Sequence, residues 1–252
     1  MAAVAKQWFE LGGGFIDPWL EIERKRPQGR EGMQTMYQLF YSPGACSMAV
    51  HIILEQVGAE FELFAVSVAD RDTQREPYLS INPKGRVPAL RIPGEARILT
   101  ELPAILRYLA SRYPEHALGQ AGDPLLEARI TEWLAWLSGW VHSVGYGLIW
   151  RPERFDPDPR HAAALGAQGN RIVEAANQDI ERALADTPTW SVGERFSIVD
   201  PFLLVLYRWG SSIGLSMRAR YPAWTRHAQL TLQRPAVQRA MAREGLSLPA
   251  EV

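Results

Sequence analysis

The segment Leu39-Phe40-Tyr41-Ser42-Pro43-Gly44-Ala45-Cys46-Ser47 decides the fold of this 252-residue chain. Alternating apolar residues at its start predict a short strand, which Ser42-Pro43-Gly44 ends. Apolar residues then recur at helical spacing between Ala49 and Val57, and Gly58 follows where a left-handed helix end is expected. The segment therefore predicts a strand that turns directly into a helix, with Cys46 where that helix opens.

Cys46 is the only cysteine, so a disulfide within the chain and a cysteine-based zinc site are excluded. The unpaired amide hydrogens and the dipole at a helix N-terminus favour an anion there, and they can lower a cysteine pKa from about 8.5 to roughly 3.5–7.5. Two interpretations stay open at this point: a reactive or ligand-facing thiol, and an inert buried cysteine. Dithiol chemistry of the Cys-x-x-Cys kind is excluded.

The following elements complete a small α/β layer. Phe61 to Val68 is rich in β-branched and aromatic residues and predicts a second strand. Val87 to Ile92 and Ala96 to Thr100 predict two antiparallel strands joined by a Pro93-Gly94 turn. Leu102 to Tyr113 predicts a helix, and the resulting order β-α-β-(α)-β-β-α is that of a thioredoxin-like layer.

Beyond residue 115 the sequence predicts only helices, at 124–149, 160–185, 198–214, 221–232 and 236–244. Asp123-Pro124 supplies an N-cap with proline at the first helical position. Ser197 to Asp200 has the spacing of a capping box, in which the serine hydroxyl would accept the Asp200 amide. We expect an α/β plus all-α chain: a thioredoxin-like domain at 36–115, then an all-helical domain at 124–246.

Residues 1–35 show no sustained period and are interpreted as an N-terminal extension: an ordered arm, a disordered tail or the product of an upstream start codon. The 27 basic and 28 acidic residues give a net charge of -1, which disfavours nucleic acid and anionic membranes as partners. Neither a membrane span nor a secretory signal is recognisable. We expect a soluble cytoplasmic protein without a metal site.

Three further positions are candidates for binding chemistry. Val87-Pro88 opens a strand, and a cis bond there would turn the Val87 backbone outward to pair with an extended peptide; an ordinary trans bond is the alternative. Glu101 stands between a strand and a helix, where amides favour a carboxylate ligand, although it could equally be a solvated capping residue. His142 lies on a helix face of small residues that predicts a groove, against a surface or core histidine. His51 is predicted to be structural.

Together these positions resemble the glutathione transferases, and the bacterial beta class in particular. The resemblance runs from Met36 to about Leu246 and rests on four motifs in the right order and spacing: Leu39 to Ser47, Asn82-Pro83-Lys84-Gly85-Arg86-Val87-Pro88-Ala89-Leu90, Leu99-Thr100-Glu101 with Ala104-Ile105, and Glu132-Trp133-Leu134 with His142. It implies a cytoplasmic homodimer that conjugates the glutathione thiolate to a hydrophobic electrophile, as in detoxification.

The resemblance also implies the site. Cys46 and His142 would face the glutathione sulfur as the catalytic residues. The glutathione-binding residues would be Tyr41, Cys46, Ser47, Arg71, Val87, a cis Pro88, Glu101, Leu102 and His142. Ser138, Tyr146 and Trp150 would line the pocket for the second substrate, whose identity the sequence does not give.

Two alternatives keep the same fold. In the first, Cys46 is itself the nucleophile of a glutathione-dependent disulfide reductase or dehalogenase. In the second, the chain is a non-catalytic binding protein, because Leu102, Ala135 and Ser143 stand where relatives usually carry residues that contact glutathione.

Overall fold

The computed structural model describes residues 36–120, 122–187 and 189–247. Their contacts divide them into two compact units: a sheet unit of residues 36–42 and 60–100, and a helical unit of residues 43–59 and 101–247. The predicted extension 1–35 lies outside the described residues. The domain boundaries 36–115 and 124–246 stay a prediction, since residues of the first predicted domain occur in both units.

The sheet unit contains a mixed four-stranded sheet in the order β2-β1-β3-β4. Its strands are β1 (Tyr37–Tyr41), β2 (Phe61–Ala65), β3 (Ala89–Arg91) and β4 (Leu99–Thr100). β1 pairs in parallel with β2, whereas β1 with β3 and β3 with β4 are antiparallel. This is the predicted thioredoxin-like strand arrangement.

Three strands are shorter than predicted, for two physical reasons. β1 offers only five residues for pairing, so the ladder with β2 ends at the pair Tyr41 and Ala65 and not at Val68. β3 begins only at Ala89, because Pro88 has no amide hydrogen to donate to a neighbouring strand. The short β3 in turn leaves β4 just two paired residues.

Apolar side chains on one side of this sheet form the core of the sheet unit. The rings of Phe40 and Phe64 stack at a centroid distance of 5.2 Å, and Tyr78 meets Phe40 edge-on at 6.1 Å. Val66 and Ala89 complete the buried cluster. Val87, directly before Pro88, packs against this cluster, so the core of the sheet unit also supports the loop before Pro88.

Helices account for most of the remaining described residues. The α-helices in chain order are α1 (Ser47–Val57), α2 (Tyr78–Ile81), α3 (Leu102–Arg112), α4 (Pro124–Trp136), α5 (Gly147–Trp150), α6 (Ala162–Ala185), α7 (Asp200–Ser212), α8 (Met217–Arg220), α9 (Pro222–Leu232) and α10 (Pro235–Arg243). Short 3-10 turns occur at Asp72–Gln74, Pro114–His116, Pro152–Arg154 and Pro159–His161. Within the described residues, no helix combines the length and the apolar character that crossing a bilayer requires.

Two predicted helix ends are confirmed. Gly58 closes α1 with a φ of 65°, a left-handed conformation that glycine adopts at little cost. At the start of α4, Asp123 Oδ1 accepts the amides of Leu125 and Leu126. The sequence therefore marks both boundaries correctly.

The predicted continuous helix 124–149 is wrong in its middle, where Leu137–Tyr146 forms a π-helix between α4 and α5. Ser143 Oγ donates to the carbonyl of Ser138 across one widened turn at 2.7 Å. The π-helix also crosses α6 closely: a Cβ on Gly169 would lie 2.7 Å from the carbonyl oxygen of Gly145. The apolar pattern could not reveal this, because a π-helix of only ten residues keeps its apolar residues on one side much as an α-helix does.

The capping network at the start of α7 is more extensive than predicted. The fully buried Asp200 accepts hydrogen bonds from Ser191, Ser197 and His227. Burial alone would raise the pKa of Asp200, but the hydrogen bond and charge of His227, with the two serines, hold that pKa below its ordinary value.

One detail of the predicted capping box was wrong. The Ser197 hydroxyl accepts the amide of Val199, at 3.2 Å, and not that of Asp200. Since α7 begins at Asp200, Pro201 falls in the first turn, where a missing amide hydrogen forfeits no helical bond.

Candidate active site

Cys46 lies at the N-terminus of α1, as the sequence predicts. The turn before it closes through the Met48 amide, which donates to Ala45 O at 3.0 Å, and the Ala49 amide, which donates to Cys46 O at 3.1 Å. The Cys46 side chain forms no disulfide and is buried, with 5% of the residue exposed. The thiol is therefore within the reach of the helix dipole and largely shielded from bulk water.

Gly44, in the turn before Cys46, is held by two residues from the far end of the chain. Its amide donates to Glu244 Oε2 at 2.8 Å, across a sequence separation of 200 residues. Its carbonyl accepts the indole Nε1–H of Trp209 at 2.9 Å. Both backbone polar groups of Gly44 are thus held by side chains, the amide by Glu244, which directly follows α10, and the carbonyl by Trp209 of α7.

Glu244 joins this turn to a buried charged network. Its Oε1 lies 2.8 Å from His51 Nδ1, and both side chains are fully buried. Burial lowers the pKa of the Arg208 guanidinium, an effect that the negative charge of Glu244 opposes. The interpretation of His51 as structural fits this position, whereas the role of Glu244 was missed because nothing in its local sequence indicates a partner so distant.

His142 lies on the π-helix and packs among aromatic rings. Its ring centroid is 4.8 Å from that of Trp209 and 6.3 Å from that of Phe202, both edge-on. Trp209 therefore contacts His142 with its ring while it donates to the turn that carries Cys46. The Trp209 side chain thus connects the two predicted catalytic residues: it packs against His142 and is hydrogen-bonded to the turn that precedes Cys46.

Two of the predicted second-substrate residues, Tyr146 and Trp150, also contact Trp209. The rings of Tyr146 and Trp150 are 4.8 Å apart, and each meets Trp209 edge-on, at 5.1 and 5.0 Å. Tyr146 has no exposed surface; its hydroxyl donates to Leu206 O at 3.2 Å, and burial raises its pKa. Tyr146 is therefore fully buried, whereas Ser138 and Trp150 are half-buried.

Glu101 adopts a backbone conformation that non-glycine residues rarely occupy. It has φ 71° and ψ 119° and immediately precedes α3, whose first turn closes when the Ile105 amide donates to Glu101 O. Such strain concentrates at functional sites. Glu101 is exposed to solvent, whereas Leu102 is buried.

In the sheet unit, the Val87-Pro88 bond is cis, which confirms the prediction. The loop before it is locked by two bonds to Arg86 O, each 2.7 Å, from Tyr78 Oη and Asn82 Nδ2. Gly85 has a φ of 60°, and an added Cβ would lie 2.8 Å from the carbonyl oxygen of Thr73. The sequence Asn82 to Gly85 is therefore the folding signal for the turn that presents Val87.

Comparison with known proteins identifies the family. Residues 44–112 match the family model of the glutathione S-transferase N-terminal domain. The chain is 33% identical over 210 residues to glutathione S-transferase GstA of Escherichia coli O157:H7, an alignment that covers 83% of this chain and 99% of GstA. The chain belongs to the glutathione S-transferase family.

Solved structures of glutathione S-transferases agree. A sphingomonad glutathione S-transferase complexed with glutathione is 36% identical, with a TM-score of 0.70, over 83% of this chain and 100% of that one. A bacterial beta class glutathione S-transferase of Sphingomonas chungbukensis is 33% identical, with a TM-score of 0.71 and the same coverage. Both the predicted fold class and the likeness to the beta class are confirmed.

In this glutathione S-transferase family member, the predicted site residues fall in both units. The helical unit holds Cys46, Ser47, Glu101, Leu102, Ser138, His142, Tyr146 and Trp150, and the sheet unit holds Tyr41, Arg71, Val87 and Pro88. Arg71 is exposed, with a left-handed φ of 61°, whereas Tyr41 is buried. Ser47 and Tyr146 have no exposed surface, and their predicted roles in ligand binding stay predictions.

Proposed function

We propose that this chain is a glutathione transferase, which lowers the pKa of the glutathione thiol and conjugates the thiolate to a hydrophobic electrophile. Glutathione is the co-substrate, and we further propose a cytoplasmic homodimer. The observation that carries the proposal is the position of Cys46 at the N-terminus of α1. The turn before it is held by hydrogen bonds to both the amide and the carbonyl of Gly44.

A fixed helix N-terminus favours the thiolate over the thiol. Lowering a thiol pKa by two units requires about 2.7 kcal/mol. A partly buried helix end contributes up to about 2 kcal/mol, and one hydrogen bond to the charged sulfur contributes about 1.5–3 kcal/mol. Together these two interactions suffice, so Cys46 has no need to attack the electrophile itself.

The binding roles in this proposal follow the chemistry of each position. The Val87 backbone pairs with the cysteinyl part of glutathione, and the Glu101 carboxylate with the Leu102 amide holds the γ-glutamyl end. Arg71 meets the glycyl carboxylate. Cys46 and His142 face the sulfur.

Two comparisons bear on the substrate. The sphingomonad relative, similar along its whole length, is complexed with glutathione, which supports glutathione here. The family also includes enzymes of another kind, since a maleylacetoacetate isomerase of Pseudomonas aeruginosa is 29% identical over 79% of this chain. Conjugation must therefore be tested directly.

The test is the conjugation of glutathione to 1-chloro-2,4-dinitrobenzene by the wild type and by Cys46→Ala. We expect wild-type turnover at pH values well below the solution pKa of glutathione, and substantial activity in the variant. If activity is lost in Cys46→Ala and mass spectrometry finds one glutathione on Cys46, the thiol is the nucleophile of a reductase or dehalogenase and the proposal is wrong. If calorimetry detects no glutathione binding at millimolar concentration, the chain is a non-catalytic member of the fold.

A further inference from the structure

A cavity of about 310 Å³ in the helical unit is lined by none of the residues predicted to contact glutathione or the second substrate. Four chain segments form it, and they contribute Gln56, His116, Trp190, Arg195, Phe196 and Arg234 among others. Small-molecule pockets span about 300–1,000 Å³, so this cavity suits a compact ligand of one or two rings.

Arg234 is the central charged group of the cavity. Its Nε and Nη2 both donate to Gln56 Oε1, at 3.2 and 2.9 Å, so a neutral amide and not a carboxylate orients the guanidinium. Burial lowers the pKa of Arg234, and the more distant Asp200 opposes that effect. The Asp200 carboxylate is already engaged by Ser191, Ser197 and His227. Arg234 is therefore a half-buried, partly desolvated cation with no carboxylate at ion-pair distance among the described residues.

Two aromatic rings flank this cation. The Arg234 guanidinium carbon lies 4.0 Å from the ring centroid of Phe196 and 5.6 Å from that of Trp190. Trp190 and Phe196 meet edge-on at 5.3 Å, and Trp190 is partly exposed. The rings hold the guanidinium in place and give a planar ligand an apolar wall.

The other charged groups leave the cavity positive. Arg195 is an exposed second guanidinium, and His116 adds an imidazole whose Nε2 is 3.9 Å from Glu115. Glu194 is the single carboxylate among the lining residues, and it too is exposed to solvent. An anion that reaches Arg234 thus gains the attraction of two guanidinium groups against the repulsion of one solvated carboxylate.

We propose that this cavity binds a small aromatic carboxylate. The carboxylate pairs with the free edge of Arg234, where Nη1 makes no hydrogen bond to the described residues, and with Arg195. The ring packs against Trp190. A guanidinium matches the two oxygens of a carboxylate better than it matches a neutral group, so both the charge and the ring are needed for binding.

Titration calorimetry with 1-naphthoate tests the proposal on the full-length chain. We expect 1-naphthoate to bind the wild type, with 1-naphthamide and acetate roughly tenfold weaker or more, because each lacks either the charge or the ring. Arg234→Gln should weaken 1-naphthoate by roughly tenfold or more. Arg171→Gln is the matched control, since Arg171 is an exposed guanidinium that also donates to a glutamine oxygen, and binding should not change.

A second measurement does not depend on any charge variant being folded. In the wild type, the indole N–H resonance of Trp190, assigned with Trp190→Phe, should shift on addition of 1-naphthoate and shift equally when S-methylglutathione is present. An unmoved Trp190 resonance at saturation, or competition between the two ligands, would place 1-naphthoate elsewhere and overturn the proposal. Equal affinities of the wild type and a folded Arg234→Gln would do the same.

Discussion

Replacing Glu244 by alanine probes the link between the end of the chain and the turn that carries Cys46. The substitution removes two hydrogen bonds that the Glu244 carboxylate accepts, from Gly44 N and from His51 Nδ1, both of 2.8 Å. Bonds to charged groups contribute about 1.5–3 kcal/mol each, and breaking a buried charged pair costs about 3–5 kcal/mol. We expect Glu244→Ala to lower the free energy of unfolding by about 4 kcal/mol.

Glu244→Gln separates the hydrogen bonds from the charge. A glutamine can still accept the Gly44 amide, but it offers only one oxygen, so we expect a loss of about 2 kcal/mol. Urea unfolding followed by fluorescence measures both values at one protein concentration. Activity assays should show a higher KM for glutathione in Glu244→Ala, because the turn before Cys46 loses the acceptor of its Gly44 amide, and a smaller rise in Glu244→Gln, which keeps that acceptor.

Glu174→Ala is the control for this comparison. Glu174 pairs with Arg220 at 2.8 Å, but the two side chains are 42% and 38% exposed, so the pair should contribute less than about 1 kcal/mol. If Glu244→Ala destabilises the chain no more than Glu174→Ala, the buried network does not hold the turn and the reasoning fails.

Three further substitutions test other supports of the site. Asp200→Asn should destabilise the chain at neutral pH by about 3–5 kcal/mol. Because its folded pKa is lowered, the contribution of this carboxylate is fully present above about pH 3.9 and is lost as the pH falls towards the folded value, so wild type and variant should converge in acid unfolding curves. Gly85→Ala should be less stable than Gly94→Ala in thermal unfolding, since both have positive φ but only the first would place a Cβ against a backbone oxygen, at 2.8 Å. Trp209→Phe keeps a six-membered aromatic ring but loses the pyrrole ring with its hydrogen bond to Gly44 O, so we expect at least about 1 kcal/mol less stability and lower conjugating activity, whereas Trp140→Phe, at an exposed position, should match the wild type in both assays.

The sequence predicted the parts of the site that depend on local chemistry. Proline and glycine mark the turn before Cys46 and the loop before Val87, and Asp123 caps α4 with its own side chain, so a short window was enough to locate each of these features. The strand order followed from the same windows. The strand ends were misplaced, because those of β2 and β4 depend on the length of the partner strand and the start of β3 depends on the missing amide hydrogen of Pro88.

The rest of the site arises from contacts that no local pattern encodes. Glu244 meets Gly44 over 200 residues of chain, and Trp209 reaches the same turn from α7. The π-helix around His142 packs closely against Gly169 of α6, a contact that becomes visible only when both elements are placed. Long-range packing therefore determines how rigidly the predicted residues are held.

The most direct test of the account is the pKa of the glutathione thiol bound to the wild type, followed by the ultraviolet absorbance of the thiolate as the pH is varied. We predict a midpoint about two units or more below that of free glutathione, which corresponds to about 2.7 kcal/mol of stabilisation at the N-terminus of α1. A midpoint equal to that of free glutathione, in a sample shown to be saturated, would contradict the claim that the helix opened by Cys46 stabilises a sulfur anion.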